Sequence, residues 1–302
     1  MKLAAIDIGS NAARLLIMQV IEQDECDPSF TKLNLIRIPL RLGFDISKNG
    51  AISSQKRVHI IETMKAYKFL LDVYEVDHFK ACATAAFRNA ANREEILTEI
   101  LKETQIDLKI ITGEQEADFI FQNHIAEKLN KSDNYIYIDV GGGSTEICIF
   151  NRNKLRGKAS FNIGTIGLLE NRIKKSDWNL MKEFIKKKTL RYENILAIGS
   201  GGNINKVASL SGKKDNKPLY LGELEDYFHE LSRLTVDERI KSFRLSPDRA
   251  DVIVPALDIY IKIMQWAGAV KIFVPKIGLA DGLIHALYDE VKKPTSTETT
   301  LK

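Results

Sequence analysis

The chain has 302 residues, enough for two domains that each bury a core. Its 44 basic and 40 acidic residues leave a net charge of +4, a balance that argues against a dedicated nucleic-acid binder. Three scattered cysteines, Cys26, Cys82 and Cys148, form no CxxC or Cys/His cluster, so a disulfide framework and a zinc site are not expected.

The thiols read as reduced, which suits the cytoplasm. No leader-like apolar segment opens the chain, and no apolar run is long enough for a bilayer. KLAAIDIG reads as a buried strand ending at Gly9, RLLIMQVIE as its hairpin partner and LNLIRIPLRLG as a third strand. A helix capped by Ser53 or Ser54 follows, then strand HFKACAT, helix NREEILTEILKET, strand IDLKIITG and helix EQEADFIFQNHIAEKL. At Tyr135 the cycle restarts. IYIDV, TEICIF and KLRGKASFNI read as strands, and a basic helix follows around Trp178. NILAIGSGG is a strand leading into helix NINKVASL. LGELEDYFHELSRL is helical, PDRADVIVPALDIYIKIMQWAG is one long helix, VKIFVP is the last strand and LADGLIHALYDEV the last helix. The polar end, 293–302, reads as a loose tail. Two consecutive β-β-β-α-β-α units predict a duplicated α/β fold with a cleft, divided as 1–124 and 125–292.

The repeat is sharpest at two short motifs. Asp7 and Asp139 stand 132 residues apart (139 − 7), and on that offset Gly9 matches Gly141, Ser10 matches Gly142 and Arg14 matches Glu146. Each motif is a strand, a carboxylate at its end, a glycine turn and a returning strand. Glycines let the backbone approach an anion closely, and successive amides in a tight turn form an anion-binding concavity. The aspartates cannot bind phosphate themselves; they suit a Mg²⁺ that neutralises it. A lone DxGxS is usually a capped turn, but two matched copies favour two hairpins gripping one phosphoryl group. The sequence contains no GxxxxGK[ST], GxGxxG, GxSxG or HExxH.

These motifs, in this order, resemble the exopolyphosphatase / guanosine pentaphosphate phosphohydrolase family of the actin–hexokinase superfamily, in its short two-domain form. The resemblance runs through AIDIGSN (5–11), TAAFRNAAN (84–92), ITGEQEA (111–117), DVGGGSTE (139–146), GSGGNI (199–204) and GLADG (278–282). It implies two actin-like, ribonuclease H-like domains and hydrolysis of a phosphoanhydride with Mg²⁺ or Mn²⁺. The substrate would be inorganic polyphosphate, with pppGpp as the alternative, and the assembly a homodimer.

Residue by residue, the resemblance makes Glu116 the base and Asp139 and Glu146 an acidic pair. Metal would fall to Asp139, Asp7 and Glu146. Gly141, Gly142, Gly143, Ser144 and Thr145 would cradle phosphate, with Gly9, Ser10, Asn11 and Arg14 facing them. Arg88 would bind phosphate by its guanidinium. Gly201 and Gly202 would contact a purine base or further phosphates. Many relatives carry a hydroxyl and an aromatic where this chain has Ala12 and Ala13, and an Arg-Glu pair where it has Ala280 and Asp281. Two rivals share the scaffold's logic: an ATP-dependent kinase, and a non-catalytic polyphosphate or alarmone sensor.

Overall fold

The computed structural model describes residues 1–23, 26–121, 133–152, 154–214, 217–275 and 278–292. The first sheet contains β1 (Lys2–Ile8), β2 (Ala13–Gln23), β3 (Cys26–Ile38), β4 (His78–Ala83) and β5 (Lys109–Ile110), in the order β3-β2-β1-β4-β5. The second contains β6 (Asn134–Val140), β7 (Thr145–Asn151), β8 (Lys154–Phe161), β9 (Ile195–Ser200), β10 (Leu219–Tyr220) and β11 (Lys271–Phe273). Read from its far edge, its order is β8-β7-β6-β9-β11, with β10 added outside. The two orders superpose. In each, the first strand pairs antiparallel with the second and parallel with the fourth. The expected duplication is the architecture, and it is the actin-like one.

The central strands β1 and β6 are buried on both faces, so their sequences are almost unbroken apolar runs. On β1, Ala4, Ile6 and Ile8 face a core built with Met64, Tyr67 and Ile100. Those residues belong to α2 (Ser54–Val73) and α4 (Arg93–Thr104). Leu3 and Ala5 face the opposite side, where they meet Leu279, Leu283, Ile284 and Leu287. These last four lie on the final helix, Leu279–Lys292. On the second sheet, Ile136 and Ile138 pack toward helices Lys175–Thr189 and Ile253–Ala267. The reverse face carries Tyr135, Tyr137, Cys148 and Phe150 against Ala117 of α5 (Gly113–Phe121). So α5 covers the second sheet, the last helix covers the first, and the two helices pack on each other. This crossover holds the cleft walls together. The boundary expected at 124/125 and the tail 293–302 lie outside the described residues.

Most expected elements form. Ser53 caps α2, accepting a hydrogen bond from the Lys56 amide. The expected long helix from Pro247 is two, Pro247–Ala250 and Ile253–Ala267. Pro255 has no N–H to offer the carbonyl of Asp251, so the turns on either side cannot join. Sequence reading passed over α1 (Leu42–Asn49) and the short helix Thr165–Leu169, both of which matter below. Cys82 and Cys148 are buried free thiols. Among the described residues no helix is long and apolar enough to cross a membrane.

Candidate active site

The two hairpins have the same construction. Asp7 lies opposite Arg14 across β1 and β2, and Asp139 lies opposite Glu146 across β6 and β7. The Gly9 amide donates to Ala12 O at 3.0 Å, and the Gly141 amide donates to Ser144 O at 2.9 Å. The carbonyls of both turns are turned away. Ser10 O accepts from Gly43 and Asn11 O from Arg41, at the start of α1. Gly141 O and Gly142 O accept from Thr165 and Ile166, at the start of helix Thr165–Leu169. The amides of Ser10, Asn11, Gly142 and Gly143 have no protein acceptor among the described residues, and all four residues line the cleft. Buried amides without acceptors are rare, and a concave set of them is an anion site.

The turns touch at their tips. A Cβ on Gly142 would lie 2.8 Å from the Ser10 Cβ, and one on Gly143 would lie 2.9 Å from the Ser10 Oγ. Glycine is needed here so that the two halves can meet. A cavity of about 200 Å³ opens from the turns, lined by Asp7, Glu116, Asp139 and Glu146. A water needs only about 10–15 Å³ of such space, so a phosphoryl group with several waters fits.

Burial pushes all four carboxyls upward. Asp139 is raised to about 6, by desolvation against the opposing pull of Arg14 and a 3.1 Å hydrogen bond from Ser200 Oγ. Glu146 is raised to about 7, by desolvation and then by the charge of Asp139. It does so although Ser144 Oγ and Ser160 Oγ both donate to its Oε1, at 2.7 and 2.8 Å. Glu116 is raised well above the ordinary value, by desolvation and then by Glu146. Asp7 is raised by burial, opposed by Arg14 at 2.8 Å. Four desolvated acids at one cavity call for a cation.

The donor set suits Mg²⁺. Among the described residues Asp139 Oδ1 and Glu146 Oε2 have no donor, whereas Asp7 is engaged by Arg14. Among the described residues no three metal-ligating side chains converge closely enough to hold an ion alone. Mg²⁺ commonly takes one or two carboxylates and completes its shell with phosphate oxygens and water.

Glu116 is placed by a chain of local causes. Thr112 and Gln115 form a reciprocal cap at the start of α5, so the next residue, Glu116, sits in the first turn. Gly113 lets that turn press on β8, where a Cβ would come within 2.4 Å of Ser160 Cβ and Oγ. Ser160 in turn holds Glu146. The resulting contact brings Glu116 and Glu146 to one cavity.

Several expected phosphate contacts are engaged elsewhere. Arg88 donates to Ile111 O at 2.8 Å and to Glu116 Oε2 at 3.1 Å, so it stands behind the acid and orients it. Thr145 is fully buried, and its hydroxyl donates to Ile163 O. The Ser144 hydroxyl is given to Glu146, and the Asn11 side-chain amide to Asp248 O. Gly201, with φ 117°, packs so closely that a Cβ there would lie 3.2 Å from Asp139 Oδ1. Gly202 is flanked by two guanidinium groups: from its Cβ position, Arg249 Nη2 lies at 3.6 Å and Arg14 Nη2 at 3.9 Å. Sequence reading missed Arg249. It is half-buried, lines the cavity and has no side-chain partner among the described residues. Desolvation, then the charge of Arg37, lowers its pKa, as expected for a cation among cations. The local signal was slight: a cation in a Pro-led turn just ahead of the apolar run IVPALDIYIKI.

Comparison with known proteins bears on the fold and the family. The Ppx/GppA phosphatase family matches residues 20–291. A crystal structure of the Aquifex aeolicus Ppx/GppA family member is 27% identical, covers 97% of this chain and 99% of its own, and superposes with a TM-score of 0.75. An exopolyphosphatase from Cytophaga hutchinsonii, 24% identical over 97% of this chain and 99% of its own, shares the fold with a TM-score of 0.81. A bifunctional 3-dehydroquinate synthase/phosphatase of Fusobacterium nucleatum is 28% identical over 96% of this chain, which spans 46% of that relative's length. This chain belongs to the Ppx/GppA phosphatase family.

Proposed function

We propose that this chain is a Mg²⁺-dependent exopolyphosphatase that removes the terminal phosphate of inorganic polyphosphate. The observation that carries the reading is the set of amides at Ser10, Asn11, Gly142 and Gly143, without acceptors among the described residues, on residues that line the same cavity as four desolvated carboxylates.

In this reading the terminal phosphoryl group rests on those amides, which stabilise charge on its oxygens as the transition state forms. Glu116, oriented by Arg88, takes the proton of a water that attacks phosphorus. The new P–O bond forms as the bond to the rest of the chain breaks, and the shortened polyphosphate leaves. Arg14 and Arg249, on either side of Gly202, receive the phosphates behind the terminal one. Mg²⁺ held by Asp139 and Glu146, with Asp7 behind, would supply charge neutralisation to the phosphate oxygens. We place the protein in the cytoplasm, where buried thiols such as Cys82 and Cys148 stay reduced.

The test is orthophosphate release from long polyphosphate with Mg²⁺, measured beside pppGpp and ATP. Fastest release from polyphosphate is expected. Faster release from pppGpp would make the nucleotide the substrate. Tight binding of polyphosphate without release would make the protein a sensor, and ATP-dependent transfer to an acceptor would make it a kinase. Glu116→Gln should lower kcat by about two to four orders of magnitude.

A further inference from the structure

Beside the first turn, the cleft is bridged by a second set of contacts. Arg37 of β3 donates to Asp248 at 2.5 Å, and Asn11 Nδ2 donates to the backbone carbonyl of the same residue at 3.1 Å. Arg41, just before α1, pairs with Asp251. All three contacts join the side of the first hairpin to the four-residue turn Pro247–Ala250 and the residue after it. Arg249 lies on that turn, between the two acids that are held.

This seam is incompletely satisfied. Asn11 Oδ1, Arg37 Nε and Asp251 Oδ1 are buried without partners among the described residues. Buried polar atoms left unpaired cost free energy, and a permanent seam would be expected to satisfy them. A seam that opens would return them to water. Its charges have a second consequence. Arg37 and Arg249 repel each other, so the carboxylate of Asp248 is needed for both to occupy one small space.

We propose that Arg37 and Asp248, seconded by Asn11 and by the Arg41–Asp251 pair, form a clasp that closes the cleft and seats the Arg249 guanidinium against substrate phosphate. They are positioning residues acting through Arg249, and this role rests on the phosphate-binding reading of the cleft. Closure then delivers a cation from the second half of the molecule only when the first half is in register.

The experiment measures binding of tripolyphosphate with Mg²⁺ by calorimetry in a Glu116→Gln background, where turnover does not consume the probe. Arg37→Gln and Asp248→Asn should each weaken binding about tenfold. Simple electrostatics predicts opposite signs, because one change removes a cation and the other an anion. On top of Arg249→Gln, which removes the group being positioned, neither should weaken binding further. Arg37→Lys should bind within about threefold of the reference. Arg41→Gln, outside the cavity lining, should weaken binding in the same direction and serves if Asp248→Asn does not fold. Tighter binding by Asp248→Asn, or full additivity with Arg249→Gln, overturns the clasp alone. No binding by the reference protein overturns the clasp together with the phosphate reading.

Discussion

Replacing Glu146 with glutamine should stabilise the metal-free protein at pH 8 and leave it nearly unchanged at pH 4.5. Glu146 is 2% exposed, and its pKa is raised from 4.5 to about 7. A carboxyl whose folded pKa is raised contributes stability that is fully present below the unfolded value. That contribution is lost as pH rises through the folded value. The window therefore runs from about pH 4.5 to about pH 7. A shift of about 2.5 units at about 1.36 kcal/mol each corresponds to about 3 kcal/mol. Part of this belongs to Asp139, whose charge is the second cause of the shift, so the two contributions do not simply add. Glutamine keeps an acceptor oxygen for Ser144 and Ser160 while removing the charge. The assay is urea unfolding of both proteins in EDTA at pH 4.5 and 8. The expected result is a gain of about 3 kcal/mol for the variant at pH 8, shrinking toward zero at pH 4.5. Mg²⁺ should shrink this gain, because the native protein offers it two carboxylates and the variant one. A variant destabilised equally at both pH values would refute the picture of a buried acid waiting for a cation.

The same geometry sets two further outcomes. Arg88→Met removes the guanidinium that opposes the rise in the Glu116 pKa, so the acid limb of the pH–rate profile should move to higher pH. The shift is read from kcat/KM between pH 5 and 9, and an unmoved limb would remove Arg88 from its supporting role. Gly113→Ala puts a methyl within 2.4 Å of Ser160, so α5 must retreat from β8. A loss of about 1–3 kcal/mol in unfolding free energy and a fall in kcat of at least tenfold are expected; unchanged activity would show that this contact does not set Glu116.

Much of the site was legible because it obeys strand geometry. A fixed offset of 132 residues placed Asp7 against Asp139, and strand pairing put Arg14 and Glu146 opposite them. The turn glycines were legible as glycines, though not for their second use, the contact of Gly142 and Gly143 with Ser10. What escaped depends on contacts far apart in sequence. Nothing local shows that Arg88 points back at Glu116, or that Ser144 serves an acid two residues away. The last helix reads as a continuation of the second half, yet its apolar stripe of Leu279, Leu283 and Leu287 packs on the first sheet. Arg249 became visible only through its place on the cavity wall and its lack of a side-chain partner among the described residues.

The most direct test follows the oxygen. Polyphosphate is hydrolysed with Mg²⁺ in ¹⁸O-water by the native protein and by Glu116→Gln. One solvent oxygen is expected in each released orthophosphate, with release slowed by about two to four orders of magnitude in the variant. Orthophosphate without solvent oxygen, or a variant as fast as the native protein, would contradict the proposed hydrolysis.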